Sequence, residues 1–192
     1  MILTKKHNNV LGKTVFRLRG GIWTALFLLI LILADPVFAN ILPGVSLVIA
    51  GQLMRIWASG TIGLYRGEKV KAERLVTYGP YALMRNPLYF ANGLIGAGWS
   101  IMAGLYASVA FILVFFVVYN LCIIPHEEQF LEKKFNGAYL DYKKKTGRFF
   151  PLELSMKDIK AHFDPQVIIR SETHSMLVSF AGTFLLLSRI WW

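Results

Sequence analysis

The chain has 192 residues, 55% of them hydrophobic, and its mean hydropathy is +0.49. It is too apolar for a soluble domain of this size, and several apolar runs approach the ~20 residues that a transmembrane helix needs. The formal net charge of +10 would suit a nucleic-acid partner, but 19 of the 21 Lys and Arg residues lie in residues 1–21, 60–86 and 125–170. The candidate outer turns near Asp35 and Gly104 carry no Lys or Arg. This asymmetry is the positive-inside pattern, which places all three basic segments in the cytoplasm and argues against nucleic acid.

The single cysteine, Cys122, leaves no disulfide framework and no Cys-based metal site within the chain. His126 would share a helix face with it, but two ligands are too few to hold a metal ion. The short signatures of soluble enzymes, G-x-x-x-x-G-K-[ST], H-E-x-x-H and G-x-S-x-G, do not occur in the sequence. Any chemistry must therefore come from polar residues placed among apolar helices.

The chain opens with a basic segment, residues 1–21, in which apolar residues are interspersed among five cations. This pattern predicts a short amphipathic helix lying on an anionic inner leaflet. A signal peptide cleaved near Ala39 is the alternative, but it is disfavoured because apolar character resumes at once.

Two transmembrane helices are predicted next, at about 22–34 and 45–62, with a tight outer turn bracketed by Pro36 and Pro43. The second helix contains Gln52 and Arg55. We expect Arg55 to extend toward the cytoplasmic interface, with an orientation toward the protein interior as the alternative.

A polar loop at 63–86 precedes a third predicted span at 88–102 and a fourth at 105–124. So little chain separates the two spans at Gly104 that they must form a helical hairpin. Glycines in the third span would allow close approach of a neighbouring helix. An amphipathic helix is predicted to continue out of the fourth span, and the apolar segment 176–192 is predicted as a fifth span ending in interfacial tryptophans.

The candidate site is the stretch from Leu75 to Tyr89, which reads L-V-T-Y-G-P-Y-A-L-M-R-N-P-L-Y. It contains a glycine-proline turn signal, and Pro87 biases Asn86 away from the helical region while suiting the first turn of a following helix. Arg85 and Asn86 are therefore predicted on irregular backbone at the mouth of an apolar helix. At membrane depth such backbone is tolerated only inside protein or beside a wet cavity.

A second polar cluster, Glu127 and Glu128, follows the fourth predicted span. The hairpin is expected to bring these carboxylates near Arg85 and Asn86. The alternative is an interfacial belt of aromatic and charged residues in which Arg85 merely pairs with a glutamate. The prolines and glycines favour a site, because a belt needs no irregular backbone.

These motifs resemble those of a known superfamily. The order G-P-Y-A-L-M-R-N-P-L-Y, a helical hairpin, E-E-Q-F-L-E-K-K-F-N-G-A-Y-L-D-Y-K and R-F-F-P is similar to that of the isoprenylcysteine carboxyl methyltransferase and phospholipid methyltransferase superfamily. The similarity covers about residues 73–151. Because these integral membrane enzymes use S-adenosyl-L-methionine, the resemblance implies that cofactor, with S-adenosyl-L-homocysteine as product.

The resemblance also implies roles for individual residues in a cytoplasmic cofactor pocket. Catalytic roles fall to Glu127, which would complement the donor's charge or act as a base, and to Arg85, which would brace the loop through a carboxylate partner. Phe135, Tyr139 and Tyr142 would pack a lid, with simple core packing as the alternative. The residues implied in cofactor binding are Val76, Gly79, Tyr81, Asn86, Pro87, Leu88, Tyr89 and Glu127.

The sequence departs from the family pattern at three points. Asn86 replaces the usual histidine and can exchange hydrogen bonds but cannot take a proton near neutral pH. The glycine of the family's F-G-x-x-Y is displaced to Gly137. Ile123 stands one helical turn before Glu127, where prenylcysteine enzymes carry an arginine suited to a carboxylate acceptor. The acceptor is therefore left open among a phospholipid amine, a lipid hydroxyl and a small apolar thiol.

The predicted fold class is an all-α integral membrane protein with about five transmembrane helices, a tight hairpin and a cytoplasmic pocket. The expected partners are the lipid bilayer and a lipidic acceptor, without nucleic acid or metal, and a homodimer is possible. The expected location is a prokaryotic inner membrane with the N-terminus in the cytoplasm. The predicted organisation is an interfacial segment at 1–21, two transmembrane helices at 22–62, a catalytic core at 63–170 that includes the hairpin 88–124, and a C-terminal helix at 171–192.

Two other functional classes remain as alternatives. A non-enzymatic membrane scaffold or lipid-binding subunit would use the polar clusters as interfacial anchors. A small transporter is disfavoured because the sequence offers no obvious paired charges within a predicted span.

Overall fold

The computed structural model describes residues 2–62, 74–153, 158–160 and 162–191. Within these ranges the chain is helical and has no β-strand, apart from an isolated bridge between Thr146 and Pro151. The helices are α1 (Ile2–Ile32), α2 (Ile41–Ile62), α3 (Pro80–Leu83), α4 (Pro87–Ala103), α5 (Leu105–Phe115), α6 (Ile124–Lys145) and α7 (Thr173–Ser188). Two π-helical segments, Phe116–Ile123 and Ile168–Glu172, lead into α6 and α7, and short 3₁₀ turns occupy Phe38–Asn40 and Arg189–Trp191.

Three helical runs in the described part of the chain are long and apolar enough to cross a membrane: Thr14–Ile32, Phe38–Ile62 and Leu105–Lys145. The predicted third and fifth spans correspond to α4 and α7, which have 17 and 16 residues. At about 1.5 Å per residue α4 is shorter than the ~30 Å hydrocarbon core. The helix α7 continues into short helical segments at both ends but is not among the candidate spans. The structure therefore supports an all-helical membrane protein with three candidate spans rather than establishing five.

Large apolar side chains are exposed on the helices of the described chain. Leu42, Leu105 and Phe180, for example, expose 77%, 74% and 75% of their surface. Monomeric soluble proteins rarely expose extensive contiguous apolar patches, whereas such a surface suits lipid. The exposed surface therefore fits an integral membrane protein.

The first helix differs from the sequence prediction. An interfacial helix at 1–21 and a separate span from Ile22 were expected, but α1 continues through Gly20 and Gly21 as one helix, Ile2–Ile32. A glycine inside a helix costs only about 1 kcal/mol relative to alanine, so flanking apolar turns can carry the helix across the pair.

The described chain forms two compact units, each of which draws on several helices. The first unit comprises residues 1–48, 96–129 and 181–192, and the second comprises residues 49–95 and 130–180.

The predicted hairpin closes at Gly104 in the first unit. Gly104 has φ 106° and ψ −176°, a combination that is essentially restricted to glycine. The amide of Asp35 donates to the carbonyl oxygen of Ala103 at 2.8 Å, which fixes the turn between α1 and α2 to the end of α4. The prediction of a tight reversal between α4 and α5 is confirmed.

Glycines allow the helices of the first unit to pack closely, as predicted for the third span. A Cβ atom at Gly98 would lie 2.5 Å from the carbonyl oxygen of Gly44, so α2 and α4 approach with their backbones in contact. Gly96 lies against the ring of Phe111, on the other arm of the hairpin. Trp23 of α1 completes this packing with its ring centroid 6.2 Å from that of Phe111.

The second unit contains the start of α4 and the polar part of α6. Gly51 of α2 packs against α4, since a Cβ atom there would lie 2.8 Å from the carbonyl oxygen of Ala91. The amide of Asp164 donates to the carbonyl oxygen of Gly60 at 3.0 Å, so the chain before α7 is joined to the end of α2.

The backbone at Gly104 predicts a measurable cost for any side chain there. Gly104→Ala is expected to lower the free energy of unfolding by about 1–3 kcal/mol, because it forces alanine into a glycine-only conformation. Gly137→Ala is the matched control, because nothing lies within 4 Å of a Cβ atom at Gly137, and it should be neutral or stabilising by up to about 1 kcal/mol. Thermal unfolding in detergent would measure both, and equal stability of the two variants would contradict the prediction.

Candidate functional site

The loop before α4 has the irregular backbone that its sequence predicts. Gly79 adopts φ 63° and ψ −136°, which favours a glycine, and its amide donates to the carbonyl oxygen of Asp158 at 2.8 Å. The short helix α3 follows with Pro80 in its first turn, and Met84 then returns to an extended conformation at φ −154° and ψ 146°. The loop thus turns twice before α4 begins.

A reverse turn after α6 holds this loop in place. The backbone amides of Arg85 and Asn86 donate to the carbonyl oxygens of Gly147 and Arg148 at 2.9 and 3.2 Å. The turn is closed by the bridge between Thr146 and Pro151. Because the Gly147 backbone packs against the carbonyl oxygen of Phe150, a Cβ atom at this glycine would clash. The turn that contains the R-F-F-P motif therefore supplies hydrogen-bond acceptors for the R-N-P motif.

Two side chains join the loop to the end of α6. The guanidinium Nη1 of Arg85 donates to the carbonyl oxygen of Thr146 and, at 3.3 Å, to that of Lys143. The last carbonyls of a helix lack intrahelical partners and carry partial negative charge, so a cation is well placed there. The hydroxyl of Tyr142 donates to the carbonyl oxygen of Tyr81 at 2.7 Å. Arg85 therefore braces the loop as expected, through carbonyl oxygens, whereas its carboxylate partner stays a prediction.

Asn86 is the polar side chain at the centre of this arrangement. It is 7% exposed, and within the described ranges its Nδ2 has no hydrogen-bond acceptor. A buried donor without an acceptor costs about 1–3 kcal/mol. Such an atom, at the start of a helix whose first amides also lack intrahelical partners, is suited to an acceptor atom of a ligand.

The other residues predicted to bind the cofactor surround Asn86 in sequence. Gly79, Tyr81 and Pro87 are buried, whereas Val76, Leu88 and Tyr89 are half-buried. All of them belong to the second unit. Their contact with a cofactor stays a prediction.

The residues predicted to pack a lid lie on α6. Tyr139 is fully buried and Tyr142 is 7% exposed, with 6.1 Å between their ring centroids, and Phe135 is half-buried. The displaced glycine of this motif coincides with a kink at Asn136, which has φ 43° and ψ −120°. Asparagine is one of the residues that tolerate a positive φ. The two tyrosines clearly pack in the core of the second unit, and a lid role for them stays a prediction.

The glutamate cluster belongs to the first unit. Glu128 is 5% exposed, Glu127 is half-buried, and Ile123 is fully buried. The ring of His126 lies 6.0 Å from that of Phe16. Whether Glu127 meets Asn86 is a prediction that the sequence makes and that remains to be tested.

The fold and the loop define an all-helical membrane protein with a polar site on irregular backbone at a helix start. The chain belongs to the phospholipid methyltransferase family, whose model matches residues 39–138. This match confirms the resemblance from the motifs and covers α2, the loop, the hairpin and the first part of α6.

Three relatives show how far the similarity extends. The chain is 36% identical over 110 residues to the cobalt-zinc-cadmium resistance protein CzcN of Cupriavidus metallidurans and 32% identical over 110 residues to the nickel-cobalt-cadmium resistance protein NccN of Alcaligenes xylosoxydans xylosoxydans. Each match covers 56% of this chain and 46% of the relative. A probable protein-S-isoprenylcysteine O-methyltransferase of Oryza sativa is 32% identical over 114 residues, which is 56% of this chain and 59% of that protein.

The coverage limits what these relatives imply. The chain spans about half the length of the curated relatives it matches. No solved structure matches the chain significantly. Family membership is therefore shown, whereas activity, acceptor and partners are matters for a proposal.

A second polar cluster in the second unit was not predicted. Glu172, in the π-helical segment before α7, is fully buried and accepts hydrogen bonds from Arg55 Nε at 2.8 Å and Ser59 Oγ at 2.7 Å. Arg55 also donates through Nη1 to the side-chain oxygen of Asn92 on α4. The cluster thus links α2, α4 and the start of α7 by charge-assisted hydrogen bonds.

This cluster corrects one inference from the sequence and bears on a second. Arg55 was expected to extend to the interface, but its side chain is 14% exposed and faces the protein interior. The transporter alternative was disfavoured for lack of paired charges within a span; Arg55, in the candidate span Phe38–Ile62, pairs with Glu172, which lies outside the candidate spans. The partner could not be foreseen because 117 residues separate Arg55 from Glu172.

Replacing one partner of the Arg55–Glu172 pair should destabilise the protein more than replacing both. Arg55→Met leaves the Glu172 carboxylate buried without its cation and is expected to lower the free energy of unfolding by about 3–5 kcal/mol. The double variant Arg55→Met/Glu172→Met should recover most of that loss, because no buried charge remains. Thermal unfolding in detergent would measure both.

The matched control is the exposed ion pair between Lys144 and Asp141 at 2.9 Å. Lys144→Ala should leave the free energy of unfolding close to that of the wild type, because water screens exposed pairs. A double variant at Arg55 and Glu172 as unstable as the single one would show that the pair is not the cause.

Proposed function

We propose that the chain is an integral membrane methyltransferase that uses S-adenosyl-L-methionine and acts on a lipidic acceptor. Membership of the phospholipid methyltransferase family supports methyl transfer. The observation that carries the site is the buried Asn86 amide, which has no acceptor within the described ranges and lies where α4 begins. We assign the cofactor to this loop.

The residues of the loop fit such a cofactor. S-adenosyl-L-methionine has a carboxylate, ribose hydroxyls and adenine nitrogens, each of which can accept a hydrogen bond from an asparagine amide. Asn86 and Tyr89 would hold it by polar contacts, and Gly79 would let the backbone approach closely. When bound, the cofactor supplies an electrophilic methyl group on a sulfonium.

The chain's own contribution would be binding, orientation and exclusion of water. Methyl transfer from a sulfonium is an in-line displacement, so a rigid loop that fixes one reactant raises the effective concentration of the other. Arg85 acts as a positioning residue, since it braces the loop and the end of α6 through carbonyl oxygens. Asn86 cannot take a proton near neutral pH, so an amine or hydroxyl acceptor would need another base, for which we propose Glu127.

The acceptor is proposed to be lipidic and to reach the site from the bilayer. The rice relative is named as a probable protein-S-isoprenylcysteine O-methyltransferase. In this chain, however, the position of the arginine that would suit a carboxylate acceptor is taken by Ile123. Its side chain is apolar and fully buried and cannot bind a carboxylate. An amine, a lipid hydroxyl or an apolar thiol therefore suits this chain better.

We propose a membrane arrangement that accompanies this function. The two shorter helices, α4 and α7, would complete five spans, with the N-terminus and the cofactor site on the cytoplasmic side. The basic segments predict this orientation by the positive-inside rule. A prokaryotic inner membrane and a homodimer complete the proposal.

Removing the Asn86 amide should weaken cofactor binding. Asn86→Leu is expected to lower the affinity for S-adenosyl-L-homocysteine at least about tenfold, because a hydrogen bond to a buried donor is lost. Asn86→His should retain most of the affinity, since an imidazole N–H can also donate. Isothermal titration calorimetry in detergent would measure both, with Ser46→Ala as the control, because Ser46 is exposed and bonds its own helix.

Two further variants test the rest of the site. Tyr89→Ala and Glu127→Ala are each expected to lower the affinity at least about tenfold if both residues contact the cofactor. Unchanged affinity in all three variants would remove this site. A loss confined to Asn86 and Tyr89 would restrict the cofactor site to the second unit.

Ligand-induced stabilisation separates the enzyme from its alternatives. S-adenosyl-L-homocysteine at 100 times its dissociation constant should stabilise the protein by about 2.7 kcal/mol, whereas a scaffold or lipid-binding subunit should show no shift. The same measurement with Co²⁺, Zn²⁺ and Cd²⁺ tests whether the chain itself binds the metals for which CzcN is named.

Incubation of the purified protein with labelled methyl donor and total membrane lipid would then identify the acceptor through its labelled product.

A further inference from the structure

The reverse turn that holds the Asn86 loop also has an apolar outer face. Phe150 is 73% exposed and Leu152 is 65% exposed. Phe149, between Arg148 and Phe150, packs with its ring centroid 6.4 Å from that of Phe90 on α4. One short segment therefore faces the site loop on one side and presents two large apolar side chains on the other.

The same segment is strongly basic. Residues 143–152 contain Lys143, Lys144, Lys145 and Arg148 and no acidic residue. The three lysines are exposed; Lys143 and Lys144 also form exposed ion pairs with Glu132 and Asp141 at 3.6 and 2.9 Å, which water and salt screen. The amide of Glu153 donates to the carbonyl oxygen of Lys145 at 3.0 Å, which brings the two ends of the segment together. Apolar tips beside a group of lysines match the boundary between acyl chains and anionic headgroups.

The geometry points to a membrane-surface anchor: we propose that residues 143–152 dock on the anionic headgroup layer of the bilayer, with Phe150 and Leu152 inserted among the lipids. The occupant is an anionic lipid surface because the complementary charge is carried by exposed lysines beside exposed apolar side chains rather than by a shaped pocket. A single bound phosphate would not cover the two apolar side chains.

Docking of this segment would act directly on the proposed cofactor site. The carbonyl oxygens of Gly147 and Arg148 hold the amides of Arg85 and Asn86. Fixing the turn on the membrane surface therefore fixes the acceptors of the site loop, and affinity for the cofactor should be higher on an anionic bilayer. This coupling rests on the proposed function, whereas the docking itself does not.

The docking can be measured without any activity. Phe150→Cys in a Cys122→Ser background would carry a nitroxide spin label, because Cys122 is the single natural cysteine. The full chain would be placed in nanodiscs of phosphatidylcholine alone or with phosphatidylglycerol. Collision with oxygen reports a lipid environment, and collision with a nickel chelate reports water. Gly137→Cys, which has nothing within 4 Å of its Cβ position, serves as the water-exposed control.

The label at position 150 is expected to move into lipid when phosphatidylglycerol is present, while the label at position 137 stays in water. Replacing Lys143, Lys144 and Lys145 by alanine should weaken the docking equilibrium about a hundredfold, at about fivefold for each cation. A label that stays in water in both nanodiscs, or enters lipid equally in both, would overturn the proposal. Dipolar broadening between two labels would also overturn it, since it would show a second copy covering this face.

A second measurement tests the coupling. Wild-type protein should bind S-adenosyl-L-homocysteine more tightly in phosphatidylglycerol nanodiscs than in phosphatidylcholine alone, and Phe150→Asp should abolish that difference while leaving the affinity in phosphatidylcholine unchanged. Docking of the label without a change in affinity would overturn the coupling and keep the anchor. Absence of cofactor binding in both nanodiscs would contradict the proposed function, and the spin-label result would still decide the anchor.

Discussion

The second unit depends on one pair of backbone hydrogen bonds, those from the amides of Arg85 and Asn86 to the carbonyl oxygens of Gly147 and Arg148. Proline at position 87 prevents the preceding residues from continuing α4 toward its N-terminus, so these amides need acceptors outside the helix. In apolar surroundings each unsatisfied amide is costly. The turn after α6 supplies both acceptors, and this allows a non-helical loop to persist beside an apolar helix.

The side chains around this pair make the turn and the loop a single element. Arg85 caps the carbonyl end of α6, Tyr142 donates to the backbone of α3, and Phe149 packs on the first turns of α4 through Phe90. Each contact joins segments about 60 residues apart in the chain. A substitution at any of them would move the Asn86 loop even though none of these groups needs to touch a ligand.

The sequence was informative wherever local chemistry decides the structure. Only Ala103 and Gly104 separate the third and fourth predicted spans, so a reversal there was predictable. The proline at position 87 likewise made the start of α4 predictable. The Arg55–Glu172 pair was not predictable, because ordinary hydropathy places Arg55 near the end of an apolar helix, where extension to the interface is the usual outcome. The prediction also missed the continuity of α1 through Gly20 and Gly21. The low helix propensity of two glycines costs less free energy than the flanking helical turns supply. The meeting of Glu127 and Asn86 stays a prediction.

The two polar clusters of the second unit differ in one respect that bears on function. The carboxylate of Glu172 is fully buried, yet both of its oxygens accept hydrogen bonds, so this cluster is internally complete and suits a role in holding α2, α4 and the start of α7 together. Asn86 is nearly as buried, but its amide nitrogen has no acceptor within the described ranges. A satisfied network gains little from a ligand, whereas an unsatisfied donor gains the full hydrogen bond. We therefore place the proposed ligand at Asn86 and assign the charged pair to the framework that joins α2, α4 and the start of α7.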